Sequence, residues 1–203
     1  MPLQVPRADD RVPPLGPSVP RWGNAVTRGI GRAGMRVLGW RLIGDIPDLP
    51  KVVVIAAPHT CTMDVFVGLA VMLASGLRVH WLGKHTIFWE PLGSVLRWLG
   101  GIPVDRASPE GIATQVIVTL RERDRFFLAL APEGTRKKVA RWKSGFYRIA
   151  AGAGVPVVPV ALDYRRRVAD IGAPLLPTGD YEADLAILRK HFSADMARHP
   201  ERY

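Results

Sequence analysis

His59 and Asp64 stand five residues apart in the segment Pro58-His59-Thr60-Cys61-Thr62-Met63-Asp64, directly after a short apolar run. Histidine is the side chain best suited to take up a proton near neutral pH. A carboxylate on its Nδ1 would fix the tautomer, leave Nε2 as the acceptor and stabilise the imidazolium once formed. On a continuous helix this spacing leaves the two side chains about 140° apart, at ~100° per residue. Across a strand-to-helix turn, Asp64 can fold back onto the imidazole, and the pair can then deprotonate a hydroxyl as it attacks a carbonyl. Two plainer readings also fit: Asp64 as a helix cap, and His59 as a hydrogen-bonded structural histidine. A second polar cluster, Pro132-Glu133-Gly134-Thr135-Arg136, follows another apolar run. No G-x-S-x-G nucleophile motif occurs. Cys61, two residues from His59, is too close in sequence for the converging geometry of a nucleophile–base pair.

Side chains like these need rigid elements behind them. Val52–Ala56 is a continuous, β-branched run, as expected of a strand buried on both faces. Further strands are expected at Arg78–Leu82, Ile102–Val104, Phe126–Ala131 and Val157–Leu162. Helices are expected at Asp64–Ser75 before Gly76, Pro91–Leu99, Pro109–Arg123 capped by Ser108, Ser144–Ala153 and Tyr181–Ala197. Strand–helix alternation of this kind predicts an α/β fold: a single domain with a largely parallel central sheet flanked by helices. Ligands bind beyond the carboxyl ends of such strands, where both polar clusters sit.

Ahead of that domain (46–203), residues 1–20 hold six prolines and read as a flexible arm. Segment 21–45 reads as amphipathic and helical. Trp22, Val26, Ile30, Ala33, Val37 and Trp40 recur at three- and four-residue steps, with Arg21, Arg28, Arg32 and Arg36 on another side. That pattern suits a helix lying at a membrane interface, and equally an ordinary surface helix packed on the core. Glycines at 23, 29, 31, 34 and 39 weaken either version by up to ~1 kcal/mol each relative to alanine.

Of the 203 residues, 48% are hydrophobic, which excludes a disordered chain. Lys+Arg 28 against Asp+Glu 18 gives a net charge of +10. The partner is therefore expected to be anionic: nucleic acid, membrane surface or a phosphorylated metabolite. One cysteine excludes an intramolecular disulfide and fits a reducing, cytoplasmic compartment. No signal peptide or transmembrane helix is expected, since the longest apolar run, 65–77, is well short of the ~20 residues a span needs.

An H-x4-D after one strand and P-E-G-T-R after another, some seventy residues apart, resemble the glycerolipid acyltransferase family, best known for 1-acyl-sn-glycerol-3-phosphate acyltransferases. Gly101-Ile102-Pro103-Val104-Asp105-Arg106 and Val155-Pro156-Val157-Val158-Pro159-Val160 match two further blocks in the expected order, so the resemblance covers roughly Val52 to Leu162. Pro58 and Ala131 depart from the asparagine and phenylalanine common there. The resemblance implies His59 as general base, Asp64 as its orienting carboxylate, and Arg106, Glu133, Gly134, Thr135 and Arg136 as acceptor-binding residues. It implies O-acyl transfer from acyl-CoA or acyl carrier protein to a lysophospholipid-type acceptor, lysophosphatidic acid first, with no metal or bound cofactor; the alternatives are another lysolipid or a glycolipid as acceptor, or a non-catalytic basic protein binding membrane or nucleic acid. Arginine's planar fork of donors suits phosphate oxygens, although an ion pair for Arg106 and a loop-bracing carboxylate for Glu133 are the alternatives. Lys137, Lys138, Arg141 and Lys143 follow with no acidic residue among them. They could meet the donor's phosphates or an anionic membrane, or form a solvated face. Trp142 and Phe146 are expected in the core, and Arg165-Arg166-Arg167 on the surface. The expected location is the inner face of the cell membrane, held peripherally. Nucleic acid is disfavoured by the absence of zinc spacing or an RNA-binding signature.

Overall fold

The computed structural model describes residues 12–104 and 109–203. The predicted arm is thus described only from Val12 onward, and Asp105, Arg106 and the Ser108 cap lie outside the described residues. In chain order the elements are α1 (Ala25–Leu38), β1 (Arg41–Ile43), β2 (Lys51–Ala57), α2 (Met63–Ser75), β3 (Val79–Lys84), α3 (Leu92–Trp98), β4 (Gly101–Val104), α4 (Pro109–Glu122), β5 (Phe126–Leu130), α5 (Gly145–Ala153), β6 (Val157–Asp163), β7 (Val168–Ile171) and α6 (Tyr181–Arg189). They build one seven-stranded sheet in the order β1-β7-β6-β2-β5-β3-β4. Strands β2 to β6 run parallel, and β7 turns back antiparallel to β6 with β1 parallel beside it.

The strand sequences explain the layering. On β2, Val53, Ile55 and Ala57 enter one apolar layer with Leu128, Phe146 and Ala150, while Val52 enters the other with Val67, Phe127 and Met35. A strand covered on both faces must be apolar throughout, which is why β2, β5 and β6 are legible as continuous runs. Trp142 and Phe146 are core residues, and their rings meet edge to face.

Two strands escape the sequence pattern. β1 has three residues and β7 four, too few for periodicity to declare itself. The Arg165–Arg167 run is exposed, and it forms the tight turn between β6 and β7. The last helix ends at Arg189 and not at Ala197, because Phe192 must turn inward to pack against Trp142, 5.3 Å between ring centroids. Residues 194–196 then form a 3₁₀ turn.

Helix α1 starts at Asn24, whose side chain accepts the Val26 and Thr27 amides while Thr27 Oγ1 accepts the Asn24 amide, a full capping box. It ends at Gly39 in the left-handed conformation. Of the predicted apolar positions, Trp40 turns into the core and Trp22 packs edge to face on Trp98. Val26, Ile30 and Val37 stay outside, with Ile30 60% and Val37 87% exposed. What seats α1 on the domain is the fully buried Met35 together with its glycines. A Cβ on Gly31 would come within 2.1 Å of the Ala74 backbone nitrogen, and one on Gly34 would rest on Ala70. Helices α1 and α2 pack in one layer, and exposed Phe66 lies on α2 and exposed Trp98 at the end of α3. Among the described residues no helix is long and apolar enough to cross a membrane.

Because the Gly31 contact is to backbone, it cannot be relieved by a rotamer change. Gly31→Ala should destabilise the protein by ~2 kcal/mol or more, read by denaturant unfolding. Gly29→Ala, which meets nothing within 4 Å, should be neutral or stabilising.

Candidate active site

The first strand in the middle of the sheet, β2, lies between β5 and β6. Its helix α2 crosses on one face, and α5 carries the chain from β5 to β6 on the other. Such a switch point opens a crevice beyond the strand ends. The register pairs Ile55 with Leu130, so the segments after β2 and β5 emerge side by side. His59 and Glu133 are thereby neighbours although 74 residues apart.

Asp64 sits in the first turn of α2 and folds back toward β2. Its Oδ2 accepts the backbone N–H groups of Thr60 and Cys61, both at 2.9 Å, and lies 3.1 Å from His59 Nδ1. Oδ1 accepts the Tyr164 hydroxyl at 2.5 Å and the Cys61 thiol at 3.1 Å. Thr62, in the N-cap position of α2, makes no side-chain capping bond, so Asp64 organises the preceding turn and does not cap the helix. The Asp64 side chain is 1% exposed and the His59 side chain 22%, so the imidazole keeps one accessible edge. Burial raises the Asp64 pKa, but the bonds from His59, Tyr164 and Cys61 outweigh it, and the carboxyl lies below its usual value. Above that value it is a fixed negative charge against the ring.

Glu133 turns inward from the end of β5 and is 3% exposed. Its Oε1 accepts the His59 backbone N–H at 3.0 Å, while Oε2 is buried with no hydrogen-bond partner among the described residues. Burial pushes its pKa above the usual carboxylate value, against the pull of the His59 amide. The His59 side chain is thus held by one acid and its backbone by another. Gly134 has φ 66° and lies against the aliphatic stem of Lys143. Lys143 also donates its amide to the Pro132 carbonyl. Thr135 Oγ1 accepts the Lys137 amide. Arg136, exposed, donates to Thr62 Oγ1 and so bridges the two polar segments. Lys138 is exposed, and exposed Arg141 lies near Tyr181 on the α6 side. Arg106 is outside the described residues.

Three groups at this site were beyond sequence reasoning. Tyr164 follows β6, a hundred residues from Asp64. The Thr60 carbonyl faces Arg202 at 3.5 Å and the Thr60 hydroxyl the His199 amide at 3.4 Å, which brings the 199–203 segment over the same turn. The Cys61 thiol, too close to His59 in sequence to pair with it, points instead to Asp64 and Tyr164. A cleft of about 930 Å³ lined by Arg21, Trp22, Arg28 and Ser75 lies at the other end of α2, about 16 Å from Asp64 by helix rise, and is separate from this site.

Together these define an α/β protein with a carboxylate-braced histidine at the switch point of its sheet. The particular family follows from comparison. The family model described as Acyltransferase matches residues 45–163, more than half of the chain, and the chain belongs to that family. It is 32% identical over 88 residues to the 1-acyl-sn-glycerol-3-phosphate acyltransferase of Escherichia coli K12, covering 40% of this chain and 36% of that protein. The chloroplastic 1-acyl-sn-glycerol-3-phosphate acyltransferase BAT2 of Brassica napus is 28% identical over 145 residues, covering 67% and 40%. The chain thus matches less than half the length of these relatives. The crystal structure of the 1-acyl-sn-glycerophosphate (LPA) acyltransferase PlsC from Thermotoga maritima shares the fold, with a TM-score of 0.61, 21% identity, and coverage of 82% of this chain and 78% of that one.

The raised pKa of Glu133 has a definite sign. The folded protein holds this proton more tightly than the unfolded chain, so stability falls as pH rises from the usual carboxylate value of 4.5 toward the folded one. Glu133→Gln keeps an oxygen for the His59 amide and removes the charge. Its thermal midpoint at pH 7 should equal or exceed that of the parent, while Glu133→Ala should cost about 1–3 kcal/mol by stranding the amide. A glutamine variant that melts well below the parent would refute this reading of Oε2.

Proposed function

We propose that the protein transfers a fatty acyl group from a thioester donor, acyl-CoA or acyl carrier protein, to the hydroxyl of a lysophospholipid-type acceptor, with lysophosphatidic acid first. The observation that carries this reading is the 3.1 Å contact between Asp64 and His59 Nδ1 at an otherwise accessible imidazole. With Nδ1–H held by the carboxylate, Nε2 takes the acceptor's hydroxyl proton as that oxygen attacks the thioester carbonyl. The tetrahedral intermediate collapses, the carbon–sulfur bond breaks, and the proton held on His59 passes to the departing thiolate. No acyl-enzyme is formed and no bound cofactor takes part. Arg136, with Arg106, would hold the acceptor's phosphate. Lys143, tied to the Glu133–Arg136 loop by Gly134 and Pro132, extends the basic rim toward the donor's phosphates, with Lys137, Lys138 and Arg141 beyond it. The names of the relatives support this choice of acceptor.

The expected pattern is specific. His59→Ala should lower kcat by roughly two to four orders of magnitude with an unchanged circular dichroism spectrum. Arg136→Ala should mainly raise the KM for lysophosphatidic acid. Activity should fall at acid pH, because only a neutral imidazole can take the acceptor's hydroxyl proton. An acyl-CoA assay across a panel of lysolipids, read by product mass spectrometry, tests all three. Near-normal turnover in His59→Ala would remove the mechanism.

The same reading places the protein on an anionic lipid surface. Val26, Ile30 and Val37 form an outward apolar stripe on α1, with exposed Arg36 on its flank and exposed Trp98 packed on Trp22 just before the helix. Ile30→Glu with Val37→Glu should abolish co-flotation with phosphatidylglycerol-containing liposomes and leave the thermal midpoint within a few degrees. Undiminished flotation of that variant would exclude this face.

A further inference from the structure

Tyr164 is the first residue beyond β6, and its hydroxyl donates to Asp64 Oδ1 at 2.5 Å. The Cys61 thiol reaches the same oxygen at 3.1 Å and lies 3.4 Å from the Tyr164 hydroxyl. Both lobes of the carboxylate are therefore committed: Oδ2 to the Thr60 and Cys61 amides and the imidazole, Oδ1 to the phenol and the thiol. A carboxylate fixed on one side only can rotate about its last bond and change its distance to the ring. The phenol prevents that rotation. Tyr164 is itself immobilised, because its ring meets Trp40 edge to face at 4.9 Å, and Trp40 is buried where α1 passes into β1. Its backbone amide is also bonded to the Met196 carbonyl. Burial, with Asp64 and Cys61 adding to it, pushes the phenol well above its ordinary value, so it remains a donor throughout the working pH range.

We infer that Tyr164 is a positioning residue of the acyl-transfer site, acting through Asp64 to set the orientation and charge of the carboxylate that faces His59. This rests on the proposed role of His59 as base. The hydroxyl draws part of the carboxylate's charge toward Oδ1, away from the ring. Without it more charge falls on Oδ2, the protonated imidazole is favoured, and the neutral base is lost at a higher pH. The sign of the effect is therefore an upward movement of the acid limb of activity.

Tyr164→Phe keeps the ring on Trp40 and removes the hydroxyl alone. In the lysolipid assay this variant should lose about tenfold in kcat, with the acceptor KM unchanged and the acid limb of kcat/KM moved up by roughly half a unit. In an Asp64→Asn background the same substitution should cost less than about twofold, because the residue through which it acts is gone. A merely structural tyrosine would give additive losses, an unmoved acid limb and a lowered thermal midpoint, and that result would overturn the inference. A second readout does not depend on acyl transfer. In ¹⁵N-histidine-labelled protein the His59 ring resonances should shift on Tyr164→Phe while those of the other four histidines hold. If no lysolipid is acylated but the His59 signals still move, the function reading fails and the positioning role stands. Unmoved signals would overturn the positioning role whatever the activity.

Discussion

Everything at the crevice is arranged around one buried negative charge. Asp64 would be expensive to place beneath the surface without partners, and the chain supplies them from three places. Two amides come from the turn that precedes it, a phenol comes from the end of β6, and the imidazole comes from the end of β2. The turn from β2 into α2 closes because the carboxylate accepts its amides, and the imidazole is aimed because the turn has closed. The geometry is cooperative: loss of any one donor loosens the others, as expected where a polar network is shielded from water.

The sheet topology makes this possible by bringing distant ends together. β2 has β5 on one side and β6 on the other, so the loops after all three converge. Glu133 arrives from β5 and braces the His59 backbone, while Tyr164 arrives from β6 and braces Asp64. Two acids at one site are pushed in opposite directions. Asp64, surrounded by donors, is held below its usual pKa, and Glu133, with one oxygen unpartnered among the described residues, is driven above it. Environment separates two chemically similar groups, as it does wherever acid and base must coexist.

Much of this was written locally in the sequence. β2, β5 and β6 are legible because strands covered on both faces cannot hide polar residues, whereas the spacing of His59 and Asp64 allows the fold-back and a helix cap alike. What stayed illegible is what depends on contacts between remote segments. Glu133 belongs to a readable motif, yet the motif does not say whether its carboxylate faces solvent or the His59 amide. Tyr164 has no local mark, since its partner is a hundred residues away. Trp22 and Trp40 share the apolar rhythm of Val26 and Val37, but the end of α1 turns Trp40 inward to meet Tyr164. The glycines of α1, read as a weakness, are what allow it to seat on α2.

That seating has a mechanical meaning. Where Gly31 lies against Ala74 the two helices touch through main chain, with no long side chain between them to flex or change rotamer. Helices α1 and α2 therefore move as one plate, and Asp64 projects from the top of that plate. A load on the outer face of α1 cannot be absorbed at a soft joint before it reaches the carboxylate. Whatever surface α1 rests on, the accessible edge of His59 stands at a set height above it, fixed where the two helices meet through Gly31 and Met35.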